Sequence, residues 1–221
     1  MSAMGDKIAV MSLGLACQTS RQIDGHIPLL QKLTGDQGLT KVSLPFDWLI
    51  STPTGLSGML ADKKFFPESH EELLDDQNRL RLRAHDILYW HESRLFSRAG
   101  HPGFEVAKAK FRHTSSRFDQ TSKLDRVVAV FSDTQPNLPE IEQGWGMRLT
   151  DNGPEEADRL RGDLEEFLGR PVDLLMVSRT PRPDFVGRKG FAYYHMVPET
   201  EGWTGNGRHW AGVFTDYFSG N

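Results

Sequence analysis

The sequence holds a single cysteine, Cys17, among its 221 residues, so an internal disulfide and a cysteine-rich zinc knuckle are both excluded. No apolar run approaches the roughly 20 residues needed to cross a bilayer. The opening stretch, Met1 to Lys7, lacks the charged-then-apolar order of a secretion signal. A cytoplasmic protein that binds no membrane is therefore expected. An excess of positive charge is also missing: 26 Lys and Arg stand against 30 Asp and Glu, which argues against a nucleic-acid partner. The phosphate-cradling pattern G-x-x-x-x-G-K-[ST] does not occur, so nucleotide hydrolysis has no support. The histidines include His85 and His91 around Asp86, but without the i, i+4 spacing of helix-borne zinc ligands. No metal and no cofactor is expected.

What is present is a globular composition, 38% hydrophobic and 25% charged, of a size that suits one compact domain over residues 1–221. Continuous apolar runs at 8–13, 127–131, 172–177 and 191–197 read as strands, with a shorter one at Ile87–Trp90. Such runs suit a sheet covered on both faces, which is usually a parallel one. Helical spacing joins Ala157, Leu160, Leu164 and Phe167 after Pro154, with Gly169 as the stop. Phe104, Ala107, Phe111 and Phe118 form a second stripe, and Trp210, Val213, Phe214 and Tyr217 a third. Strand and helix in alternation predict an α/β fold, a layered α/β/α domain with a mostly parallel sheet. Residues 136–154 read as a long surface connection rich in Pro, Gly and Asn.

Cys17 follows the first strand and precedes a helical stretch from Thr19. Unpaired amides and the helix dipole at such a junction favour an anion, which predicts a thiol with a depressed pKa. The same amides suit an oxyanion, with Gly14 permitting the turn and Gln18 adding a side-chain donor. Asp47 lies between aromatic residues in Leu44-Pro45-Phe46-Asp47-Trp48 and needs a partner if buried, a histidine or several backbone amides. His91, at the end of the short apolar run, is a candidate base, and His209, just before the final helix, competes with it. Lys108, Lys110, Arg112 and Arg117 read as a solvated helix face or a strip meeting a phosphate or sugar acid.

Together, Ser12-Leu13-Gly14-x-x-Cys17, Pro45-Phe46-Asp47-Trp48 and His91 before an acidic residue resemble a bacterial family of papain-like cysteine peptidases. The likeness runs more loosely through Lys110-Phe111-Arg112 into the strand at Val127 and to Trp203 and Trp210. It implies Cys17 as nucleophile and His91 as its base, with Asp47 as third member. Papain-like domains carry their cysteine on a long helix in an α+β fold. The alternation here is closer to flavodoxin-like hydrolases and thiol-dependent acyltransferases of capsule synthesis. The expected activity is cleavage of an amide or ester in a small-molecule, peptide or saccharide substrate. Acyl transfer in surface-polysaccharide synthesis and a non-catalytic binding module are the alternatives, and the oligomeric state stays open.

Overall fold

The computed structural model describes residues 7–150, 152–199 and 202–220. The segment before Lys7, read above for a secretion signal, lies outside them. Among the described residues the order is β1 (Ile8–Ser12), α1 (Cys17–Gly25), α2 (Ile27–Thr34), β2 (Ile50–Ser51), α3 (Pro53–Ala61), β3 (Leu73–Asp76), β4 (Arg79–Leu82) and β5 (Ile87–Tyr89). Then come α4 (Gly103–Thr121), β6 (Arg126–Ser132), α5 (Leu138–Trp145), α6 (Pro154–Leu168), β7 (Asp173–Ser178), β8 (Phe191–His195) and α7 (Gly207–Ser219). The architecture is α/β.

Four strands form a parallel sheet in the order β1-β6-β7-β8. The apolar runs that form β6 and β7 are buried on both sides, whereas β8, at the sheet edge, is only half-buried. Val128 and Val130 pack with Ile23 of α1, Leu30 of α2 and Trp210 of α7. Val127, Ala129 and Phe131 point the other way, into a cluster with Phe111 and Phe118 of α4 and Leu160 of α6. Alternation along a strand sends successive side chains to opposite faces, so one seven-residue run feeds two clusters.

The second sheet was not foreseen. β2, β5, β4 and β3 pair antiparallel in that order, so Ile87–Tyr89 does not join the parallel sheet as the apolar-run rule suggested. At three residues it is too short for its apolar continuity to distinguish the pairing types. Leu80, Leu88 and Tyr89 share one apolar cluster with Ala129 and Phe111, so the packing is continuous between the sheets. The predicted long connection after Pro136 is also corrected: it contains α5, opened by Leu138-Pro139 and closed by left-handed Gly146. No helix among the described residues is long and apolar enough to cross a membrane.

Candidate active site

Parallel pairing puts the carboxyl ends of β1, β6 and β7 side by side, and the loops leaving them form the floor of the site. Beyond β1 the chain turns sharply. Gly14 and Leu15 are both left-handed (φ 78° and 61°), and Ala16 is extended before α1 begins at Cys17. A side chain at Gly14 would meet Ser51 Oγ at 3.0 Å, so the turn needs glycine for space as well as for conformation. Leu15 tolerates its uncommon backbone because its amide reaches Ser51 Oγ (3.4 Å) and its side chain is fully buried. Cys17 thus stands on the first residue of a helix with its side chain only partly covered.

His91 lies in the turn after β5, closed by the Glu92 amide on the Tyr89 carbonyl (3.0 Å). Its Nε2 is 3.0 Å from Cys17 Sγ. The two sheets therefore deliver one member each. The ring is steadied by Trp48, packed edge-on at 5.6 Å between centroids. Lys110 in turn sits 4.8 Å over Trp48 and bonds the Glu92 carboxylate at 2.6 Å. The competitor His209 is on the exposed first turn of α7, where its amide bonds Asn206 Oδ1.

Asp47 is buried, but its carboxylate is taken by Lys41 Nζ (2.9 Å) and the Leu44 amide (3.1 Å). Among the described residues no hydrogen bond joins it to His91. Its contact with the pair is electrostatic. Desolvation first, then the Asp47 charge, push the Cys17 thiol up to about 11. This corrects the depressed pKa expected from the helix terminus, because burial and a neighbouring anion outweigh the amide dipoles. Burial and Lys110 hold the His91 imidazolium below the usual histidine range, and burial likewise raises Asp47 itself. Both shifts favour the neutral pair, thiol donating and Nε2 accepting.

The two expected oxyanion donors are engaged within the protein. The Gly14 amide turns back to Ser12 Oγ (3.4 Å). Gln18 is a buried tie: Thr134 Oγ1 donates to its Oε1 (2.7 Å), and its Nε2 donates to the Trp203 carbonyl (3.1 Å). Left-handed Gly205 lets that loop approach, since a Cβ there would come within 2.8 Å of Gln18 Nε2. Sequence reasoning missed Gln135 and Asn137, three and five residues beyond β6. The Gln18 amide donates to Gln135 Oε1 (3.3 Å), and Gln135 Nε2 donates to Asn137 Oδ1 (2.7 Å). Arg179, from the end of β7, clamps this loop through the carbonyls of Asp133 (2.8 Å) and Gln135 (2.6 Å). The polar run Ser132-Asp133-Thr134-Gln135 at the end of an apolar strand was the available signal.

Two clefts open on either side of the pair, and Cys17, His91 and Trp203 line both. One, of about 330 Å³, is completed by Ile50, Trp90, Gln135 and Asn137. The other, of about 220 Å³, is completed by Ser20, Arg21, Asp24, Lys41, Asp47 and Trp48. Among the described residues no group of three or more His, Cys, Asp or Glu is gathered as a metal site. His85 bonds Asp62 (2.9 Å) and Asp86 bonds Arg81 (3.0 Å), away from His91. Of the strip on α4, Lys108 pairs with Glu68 and Lys110 with Glu92, while Arg112 and Arg117 are exposed. In comparisons with known proteins, no family model, no curated protein and no solved structure matches the chain.

Proposed function

We propose that the chain is a cysteine-nucleophile hydrolase of amides or esters, built as a single layered α/β/α domain over residues 1–221. The observation that carries the reading is the 3.0 Å contact between Cys17 Sγ and His91 Nε2 at the meeting point of two clefts. The resemblance of the Ser-Leu-Gly-x-x-Cys and Pro-Phe-Asp-Trp segments to papain-like cysteine peptidases points to the same two residues.

The neutral pair sets the order of events. As Sγ attacks the acyl carbon, its proton passes to Nε2 and the carbonyl π electrons move onto oxygen. The Cys17 amide, at the helix start beside its own sulfur, and the Gln135 carboxamide are the donors for that oxyanion. Collapse breaks the bond to the leaving group, which takes the proton from Nε2. A water deprotonated by His91 then attacks the thioester and frees the acid and the thiol. A hydroxyl of a second substrate in place of that water gives acyl transfer, and the polar second cleft next to the pair favours this as the alternative. In this scheme Asp47 ties the Lys41 ammonium and the Leu44 amide next to Trp48 in sequence, and Trp48 orients the imidazole.

The test is p-nitrophenyl acetate, whose leaving group is visible. Wild-type protein should release a burst equal to the protein concentration and carry an acetyl group on the Cys17 peptide. Cys17→Ser should slow acylation by about 10²-fold or more with the circular dichroism unchanged. A binding module with a structural cysteine would give no burst and no adduct.

A further inference from the structure

The 330 Å³ cleft beside Cys17 has a polarity that follows from its hydrogen bonds. A backbone N–H can only donate, so the Gln18 amide fixes Gln135 Oε1 toward itself and turns Gln135 Nε2 toward Asn137. That N–H in turn fixes Asn137 Oδ1 toward Gln135. Both carboxamide oxygens are thereby turned into bonds within the protein. What remains is the second N–H of Gln135 and both of Asn137, whose Nδ2 has no protein acceptor among the described residues. The other walls, Ile50, Trp90 and Trp203, add apolar surface and indole N–H groups. Apart from His91, the cleft's lining includes no ionisable side chain but the nucleophile.

We infer that this cleft takes the acyl half of the substrate, an uncharged group carrying a hydrogen-bond acceptor close to the reactive carbonyl, held by Asn137 Nδ2. The inference rests on the proposed acyl chemistry of Cys17. Gln135 supplies the connection: in the proposed scheme its carboxamide meets the carbonyl oxygen, and Asn137 is its hydrogen-bond partner in the lining of the same cleft. An acceptor two bonds from the carbonyl carbon therefore meets Asn137, as the ether oxygen of an alkoxyacyl group would. An acyl carboxylate finds no cation there, because Arg21 and Lys41 line the opposite cleft.

The test keeps p-nitrophenol as leaving group and varies the acyl part. Methoxyacetyl and butyryl esters have the same length and differ in one oxygen against one methylene, and a hemisuccinyl ester adds charge. Acylation rates are divided by each ester's alkaline hydrolysis rate. Wild type should favour methoxyacetyl over butyryl by about tenfold, the worth of one hydrogen bond, and should disfavour hemisuccinyl. Asn137→Asp keeps the acceptor for Gln135 but removes the donors, and should bring the methoxyacetyl to butyryl ratio to about one. Asn137 caps α5 without a side-chain bond, so the substitution removes no helix cap. Asn137→Ala gives the same ratio without added charge. Equal normalised rates in wild type, or an advantage that survives both variants, overturns the inference while the acyl chemistry stands. Absence of acylation by every ester overturns the acyl chemistry, and this inference with it.

Discussion

The parallel sheet buries nearly every residue of β6 and β7, whereas the antiparallel sheet buries alternate residues of β4 and leaves β3 half open. The second sheet is buried at β2 and β5 and opens only toward its β3 edge. Each contributes one member of the proposed catalytic pair from a loop at its end: Cys17 after β1 and His91 after β5. Cys17, the proposed nucleophile, is placed by a left-handed backbone turn and a helix start. His91, the proposed base, follows the buried β5 and is packed against Trp48 beside the Glu92–Lys110 pair. Catalytic pairs split in this way place the reactive bond where two surfaces meet, and the two clefts run along that seam.

The largest expected effect comes from breaking the contact across the seam. His91→Ala should slow acylation by p-nitrophenyl acetate by about 10²- to 10⁴-fold, the range of a general base, with the fold retained. A loss below about threefold would mean that the turn after β5 is not part of the active site. Next come the cores. Leu174→Ala in β7 and Leu80→Ala in β4 each empty a fully buried position of the same apolar cluster, and each should cost about 2–5 kcal/mol in urea unfolding. Both should shift one common transition; two separate transitions would show that the sheets unfold independently.

Gln18→Leu is smaller. It removes the bonds to Thr134 and the Trp203 carbonyl and should cost about 1–3 kcal/mol of stability. Its acylation rate per folded molecule should fall less than tenfold, because the side chain ties loops together rather than meeting the oxyanion; a loss of about 10²-fold would restore it as a donor. The smallest effect is electrostatic. Asp47→Asn deletes an anion that raises the Cys17 thiol, so the thiol pKa should fall from its value of about 11. The ultraviolet absorbance of the thiolate should then rise at lower pH than in wild type, and an unmoved or raised titration would contradict the assigned cause.

The same division governs what the sequence revealed. α6 spans Pro154–Leu168, as its Pro and Gly punctuation and apolar spacing require, and the continuous runs located all four parallel strands. The inner strands β6 and β7 are buried nearly throughout and α6 along one stripe, so the hydrophobic pattern alone marks them. The β3–β4 hairpin hides its signal: Leu80 and Leu82 alternate with arginines, and the turn is Gln77-Asn78 with both residues left-handed (φ 48° and 65°). That is primed-turn geometry without the Asn-Gly that advertises it. In the site, Cys17 and His91 were readable as reactive residue types near strand ends, and Asp47 as a buried acid. Its engagement by Lys41 depends on a loop path that no periodicity encodes. Gln135 and Asn137 have no ionisable group to draw notice, and only the adjacency of β1 and β6 shows that they face Cys17.

The central claim is that His91 acts as base for a thiol that is protonated at neutral pH. The direct measurement is the rate of Cys17 alkylation by iodoacetamide across pH, in wild type and in His91→Ala. In wild type the rate should rise as the imidazole loses its proton, below the usual histidine pKa of about 6.5, hold level, and rise again as the thiol ionises toward its pKa of about 11. His91→Ala should lose the lower step and keep the upper one. Superimposable profiles for the two proteins would contradict the account.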